Sequence, residues 1–323
     1  MKAIELIGSG YIYPDTCITN DDLSQIVDTT DEWISTRTGI KTRYISTKKN
    51  TSDLAVEAAR KAIISSGINP KEIDLIICAT ATSDQIMPST ACLIQEKLDL
   101  NNQPVMAFDV NAACSGFVYA LQIASSLLTQ YNCALVIGAE TLSKIVDWRD
   151  RNTCVLFGDG AGAVLLKAST EEKQLVHFAR SIGDNSGILE VQGLSLLQEL
   201  GNQEEHSIGY LSMDGKEVFR FAISAMQEAI EEVSVKKGIS LEEVDVIIPH
   251  QANIRIIAHV AKKLKIPLEK FYLNLEEFGN TSAASIAMAL AQAIEKEVVG
   301  KGMKIILVGF GAGFTYAATL IEL

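Results

Sequence analysis

The chain has few of the residues from which metal sites and crosslinks are built. Six cysteines, Cys17, Cys78, Cys92, Cys114, Cys133 and Cys154, are scattered through 323 residues with no CxxC pair and no Cys/His cluster. That spacing argues against a disulfide framework and against any zinc site, and makes most of the six reduced core residues. Histidine is scarcer still, with four copies. Lys and Arg number 28 against 40 Asp and Glu, a net charge of −12. Nucleic acid, whose phosphates demand a concentrated positive face, is therefore a poor main partner. No apolar run approaches the roughly 20 residues of a spanning helix. The N-terminal stretch MKAIELIGSGYIYPD meets Gly8, Gly10 and Pro14 before an export-type segment could develop. The expectation is a cytoplasmic chain without membrane insertion. What is abundant is core material: 48% of the residues are hydrophobic and only 21% charged.

The chain also repeats itself. SSGINPKEIDLII, residues 65–77, aligns with KKGISLEEVDVII, residues 236–248, at an offset of 171 (238 − 67, from Gly67 and Gly238). The same offset pairs the helical stretch DLAVEAARKAII at 53–64 with SAMQEAIEEV at 224–233, and LVIG at 135–138 with ILVG at 306–309. Each half then reads as helix, turn, apolar strand, helix, apolar strand, and two similar α/β halves follow. The boundary falls near residues 168–174, giving halves of 1–170 and 171–323. The apolar runs LIICAT, VMAFDV, ALVIGA, VIIPHQ and IILVGF are continuous, which predicts strands covered on both faces. A polar, irregular region spans about 182–207.

Cys114 stands apart from the other cysteines. It follows the run VMAFDV and the turn NAA and opens the apolar helix SGFVYALQIASSLL, with Ala112, Ala113, Ser115 and Gly116 leaving room beside it. Unpaired N–H groups at a helix start favour thiolate over thiol, and a nucleophile on a strand–turn–helix elbow is a known catalytic device. Free cysteine is also a common core residue. From this segment alone both readings stay open, whereas Cys78, Cys133 and Cys154, in or beside apolar strands, read as core.

The histidines narrow the choice. His177 lies in an apolar strand-like run, His206 in the polar loop and His259 on a helix, and each reads as structural or solvated. His250, in VDVIIPHQAN, sits just past a buried strand, with Asn253 opening the next helix. Asn280, in FGNTSAASIAMAL, precedes a helix that parallels the cysteine helix in the duplication.

Six motifs in order, DEWISTRTGI at Trp33, ACSGF at Cys114, FGDGAGA from Phe157, PHQAN at His250, GNTSAAS at Asn280 and GFGAGF near the end, resemble the β-ketoacyl-acyl-carrier-protein synthase III family of the thiolase superfamily. The resemblance implies a five-layered αβαβα fold built from two duplicated halves, and a homodimer. It implies an acyltransferase in which Cys114 takes an acyl group from a short acyl-CoA, acetyl-CoA by default, in ping-pong order before condensation with malonyl-acyl-carrier protein. His250 and Asn280 would stabilise the malonyl-derived enolate, and the backbone N–H groups of Cys114 and Ala312 the oxyanion at the acyl carbon. A histidine–asparagine pair fits an initiating enzyme, since elongating relatives carry a second histidine where Asn280 stands. No cofactor or metal is implied beyond the coenzyme A thioester as substrate.

Further residues take roles by the same resemblance. Trp33 and Arg37 alone read as part of a capped amphipathic helix; the family positions turn them, with Arg151 and Asn253, toward coenzyme A. Met87, contributed across the dimer, and Leu142 and Phe157 match the acyl pocket. Arg255, Lys262 and Lys263 share one side of the helix NIRIIAHVAKKLK, and with Arg220 they match the carrier-protein docking surface. Tyr316 stands where relatives often carry tryptophan. GDGAG at 158–162 lacks GxGxxG spacing and reads as close backbone packing. Rival readings are an acyltransferase of a secondary-metabolite pathway, a non-catalytic partner subunit that would lack the nucleophile, and a cysteine protease, which would not require the duplicated body.

Overall fold

Two sheets, each drawn from one half of the sequence, organise the molecule. The computed structural model describes residues 3–169, 175–183, 186–194 and 208–323, so the expected junction falls largely outside the described residues. The first sheet runs in the order Ala3–Ile12, Gly160–Ser169, Cys133–Glu140, Leu75–Ala79, Met106–Val110; the second runs Val176–Ser181, Thr315–Glu322, Lys304–Gly311, Val246–Pro249. In the first, Leu75–Ala79 lies parallel to both its neighbours. In the second, Val246–Pro249 lies parallel to Lys304–Gly311.

The repeat is preserved down to the register. Leu75 is opposite Ala134, and Val246 is opposite Ile305, both members displaced by 171 (246 − 75 and 305 − 134). Helices Thr51–Ser66 and Gly215–Lys237 both stop at a left-handed glycine, Gly67 at φ 69° and Gly238 at φ 75°, where a side chain would be strained. Each is followed by a short turn closed by a reciprocal cap, Asn69 with Glu72 and Ser240 with Glu243. Asp74 accepts from the Cys133 N–H and Asp245 from the Lys304 N–H, the same bond in each half.

Helices cover both faces of both sheets. Thr51–Ser66 packs on the outer face of the first sheet against Ile76 and Cys78. Gly215–Lys237 and Ile254–Leu264 cover the outer face of the second. Gly116–Leu127 and Ala284–Glu295 lie between the sheets, meeting Leu75, Ile77 and Val136 on one side and Ile248, Ile305 and Leu307 on the other. Residues 284–293 are buried without exception, as befits a helix apolar on every side. The result is the thiolase fold, five layers of αβαβα. Close approach of a sheet to the central helix explains GDGAG: a Cβ on Gly160 would collide with the Met288 thioether and one on Gly162 with the Ala287 backbone.

One strand departs from expectation. Met106–Val110 forms an edge of the first sheet and is only partly buried, with Met106 43% exposed. An apolar run specifies a strand but not whether it lies inside a sheet or at its edge. In the second half its counterpart shrinks to a single bridge between Ile247 and Phe271.

Candidate active site

The C-terminal ends of the parallel strands converge on one cleft. Cys114 follows Met106–Val110, His250 follows Val246–Pro249, and Ala312 follows Lys304–Gly311; all three, with Asn280, line a cavity of about 550 Å³. Residues brought together from positions 114, 250, 280 and 312 therefore share one solvent-connected space.

Cys114 occupies a single 3-10 turn, Ala113–Ser115, before the α-helix proper begins at Gly116. Ala113 is held at φ 45°, a strained setting for a residue with a Cβ. The turn is clamped to the hairpin after Gly311: Ser115 Oγ lies 2.8 Å from Thr315 Oγ1, and Thr315 Oγ1 donates to the Ala112 carbonyl at 3.1 Å. A Cβ at Gly311 would lie 2.7 Å from the Cys114 nitrogen, so only glycine lets the two backbones meet. The Ala312 N–H donates to no acceptor among the described residues, and Ala312 lines the cleft.

Electrostatically the site differs from the helix-start expectation. Cys114 is 8% exposed, and burial pushes its thiol up to about 12, against the opposing pull of the Ser282 hydroxyl and its own N–H. Loss of water outweighs the helix end, so the resting group is a thiol and not the thiolate that position alone suggested. His250 is buried, and that burial pushes its imidazolium down to about 3, leaving a neutral ring. Its Nδ1 lies 2.7 Å from Ser285 Oγ, and its edge rests on Phe310 with centroids 5.2 Å apart. Asn280 uses Oδ1 to accept the Ser282 N–H at 2.9 Å, which leaves its amide hydrogens for the cleft. The site thus holds a thiol, a neutral imidazole with one uncommitted nitrogen, a carboxamide donor and a free backbone N–H.

A buried acid behind the cleft escaped the sequence reading. Glu140 has no exposed surface, and burial raises its carboxyl to about 7, opposed by bonds from Thr82, the Ala81 N–H and Ser282. It closes the run ALVIGAE, and a single acid ending an apolar strand is the only signal it left. Ser282 and Ser285 were likewise visible within GNTSAAS, but only the fold shows that they face Cys114 and His250.

The other anticipated residues divide. Trp33 lies on the helix Asp31–Thr38, and the guanidinium groups of Arg37 and Arg151 lie 4.6 and 4.8 Å from its ring centroid. Trp33, Arg37 and Asn253 border a second hollow of about 240 Å³ that shares Asn152, Phe219 and Asn253 with the main cleft. Leu142 and Phe157 line the cleft, together with the unforeseen Ile86, Ile145 and Leu211. Met87 does not line it in this chain and is 79% exposed. Part of the expected irregular region, residues 189–194, does line it; His206 lies outside the described residues. Arg255, Lys262 and Lys263 are exposed on Ile254–Leu264, whose Ile256, Ile257 and Val260 are buried, while Arg220 pairs with Glu217 at 2.6 Å. His177 bonds to Ser125 and Thr319 as a structural residue, and the Tyr316 hydroxyl donates to Glu228 at 2.9 Å behind the second sheet.

Duplicated sheets that aim their parallel strands at one cleft, with a thiol inside it, define the thiolase-fold condensing enzymes, a class of acyltransferases. Comparison with known proteins narrows the class. Residues 108–183 match the family described as 3-oxoacyl-[acyl-carrier-protein] synthase III, and residues 235–323 match its C-terminal region. A β-ketoacyl-[acyl-carrier-protein] synthase III of Clostridium perfringens is 50% identical over the whole of both chains. The crystal structure of a 3-oxoacyl-[acyl-carrier-protein] synthase III from Aquifex aeolicus superposes with a TM-score of 0.91 at 44% identity, covering 99% of this chain and 100% of that one. A priming β-ketosynthase from the R1128 polyketide pathway also superposes at 0.91, with 32% identity, covering 100% of this chain and 96% of that one. The chain belongs to the β-ketoacyl-[acyl-carrier-protein] synthase III family.

Proposed function

We propose that this enzyme initiates fatty-acid synthesis by condensing a short acyl-CoA, acetyl-CoA by default, with malonyl-acyl-carrier protein to give a 3-oxoacyl-carrier protein. The Cys114 sulfur attacks the thioester carbonyl, and its proton leaves with the coenzyme A thiol. Malonyl-carrier protein then loses carbon dioxide; the electrons of the broken C–C bond form an enolate whose oxygen accepts from His250 and Asn280. That carbon attacks the acyl-Cys114 carbonyl, the N–H groups of Cys114 and Ala312 hold the oxyanion, and collapse releases the Cys114 sulfur to be reprotonated. The observation that carries this reading is the presence of Cys114, His250, Asn280 and Ala312 on one cleft in forms suited to donate hydrogen bonds.

Trp33, Arg37 and Arg151 would receive the nucleotide of coenzyme A, and Asn253 the pantetheine arm, because Trp33, Arg37 and Asn253 border a hollow that adjoins the cleft and Arg151 lies against the Trp33 ring. Leu142 and Phe157 would hold the acyl group. The apolar lining adds room for branched or longer acyl units, and the similarity to a priming ketosynthase keeps a secondary-metabolite role as the second reading. Arg255, Lys262 and Lys263, with Arg220 a weaker member, would dock the acidic carrier protein. A homodimer is supported by the open edge at Met106–Val110 and by exposed Ile86 and Met87, Met87 then entering the partner's pocket. The six free cysteines suit the cytoplasm. The chemistry needs no resident cofactor or metal. The deciding experiment is the intact mass after incubation with a panel of acyl-CoAs. An acyl adduct on the wild type that Cys114→Ser loses is expected; absence of any adduct, or one that survives the substitution, would refute the proposal.

A further inference from the structure

Ser285 is the second residue of the helix Ala284–Glu295 and is 2% exposed. Its N–H donates to the Ser282 carbonyl at 3.1 Å. Its hydroxyl, 2.7 Å from His250 Nδ1, has no other bond among the described residues. A hydroxyl carries one hydrogen and the neutral imidazole carries one on a ring nitrogen, so the pair admits two arrangements. If Nδ1–H donates to Ser285, the serine hydrogen is buried with no acceptor, a loss of about 1–3 kcal/mol. If the serine donates to a bare Nδ1, every hydrogen is satisfied and the ring proton must sit on Nε2. Rotating the ring by half a turn does not escape the choice, because it would set a carbon against the hydroxyl and leave that hydrogen unbonded.

We infer that Ser285 is a positioning residue that locks His250 as the Nε2–H tautomer, so that the imidazole offers the cleft a hydrogen-bond donor and not a base. The consequence is a division of labour. The Nδ1–H form would turn a lone pair toward the cleft and suit abstraction of the Cys114 proton; the locked form instead suits a thioester or enolate oxygen. The low basicity of the ring agrees, since burial alone holds its imidazolium at about 3. Asn280 is fixed by the same logic through a backbone donor: the Ser282 N–H occupies Oδ1 and leaves the amide hydrogens free. Both donors are therefore oriented by the segment 282–285.

The purpose of the lock rests on the condensing reading; the lock itself does not. The test is nitrogen NMR of the full chain labelled with 15N-histidine, the His250 signals assigned by their loss in His250→Gln. Nε2 protonated and Nδ1 bare is the expected result, with Ser285→Ala giving mixed tautomers and Ser285→Thr, which keeps the hydroxyl, restoring the single form. Decarboxylation of a malonyl thioester should fall at least about 10-fold in Ser285→Ala at an unchanged KM. A wild-type His250 protonated on Nδ1 overturns the inference even if the alanine variant does not fold. So does a folded Ser285→Ala that keeps both tautomer and rate. A wild type that takes no acyl group on Cys114 would instead sink the condensing reading and leave the tautomer measurement intact.

Discussion

Exchanging one nitrogen for one oxygen at Asn280 gives the sharpest test of the donor arrangement. Asn280→Asp keeps the Oδ1 that accepts the Ser282 N–H, so the turn before Ala284–Glu295 should fold as before. It replaces the amide that faces the cleft with a carboxylate oxygen, which can only accept. Loss of one preorganised donor to a developing oxyanion costs about 2.7–4 kcal/mol, or roughly 100- to 1,000-fold in rate, and the added negative charge works in the same direction. His250→Ala should lose a similar factor. Acylation of Cys114 by acyl-CoA, read from intact mass at short times, should change only a few-fold in Asn280→Asp, whereas carbon dioxide release from malonyl-carrier protein should show the full loss. Because burial holds the His250 imidazolium at about 3, that ring stays neutral from pH 8 to pH 5 and contributes no fall in wild-type decarboxylation over that range. An acid-side fall with a midpoint near 6.5 that disappears in His250→Gln, or an Asn280→Asp enzyme that decarboxylates near the wild-type rate, would refute the reasoning.

Glu140 makes stability depend on pH in the less common direction. Its folded carboxyl sits at about 7 against 4.5 when unfolded, so its contribution is fully present below 4.5 and is lost as pH rises through 7, a change of about 3 kcal/mol. Comparing unfolding free energies of wild type and Glu140→Gln at pH 5 and pH 8 checks this: the wild type should lose ground at pH 8, and gaining ground there would contradict the assignment. Gly311→Ala should abolish acylation and lower the melting temperature, because its Cβ would meet the Cys114 nitrogen at 2.7 Å, whereas Ala312→Gly should retain acylation. Equal effects of the two substitutions, measured by intact mass, would count against the tight backbone approach. Reversing the charge of Lys262 with Lys263, which lie outside the hollow that Arg255 borders with Trp33, should raise the KM for malonyl-carrier protein and spare that for acyl-CoA, the more so at low salt. Parallel rises in both constants would remove these residues from docking.

Much of the architecture could be read without coordinates because burial and repetition leave linear traces. Continuous apolar runs marked the sheet strands, and an offset of 171 anticipated the shared register of Leu75 with Ala134 and Val246 with Ile305. Gly67 and Gly238, paired by that offset, both end a helix in a left-handed turn. The candidate nucleophile and its partners were legible by resemblance and by elimination among four histidines. Where the reading failed, the missing information was spatial. The edge position of Met106–Val110 depends on which strands pair, and the exposure of Met87 on what surrounds it.

The amino-acid order alone determined the elements, the two-fold repetition and the chemical types available to the site, since propensity, periodicity and capping act between near neighbours. The ionisation and orientation of those groups were decided only by tertiary structure. Cys114 is a thiol, and His250 a neutral ring, because layers folded from distant segments remove their water. Ser285 meets His250 because the central helix carries it to the end of a strand 35 residues away in sequence. Desolvation and hydrogen-bond direction depend on everything that surrounds an atom, and no local stretch of sequence carries that.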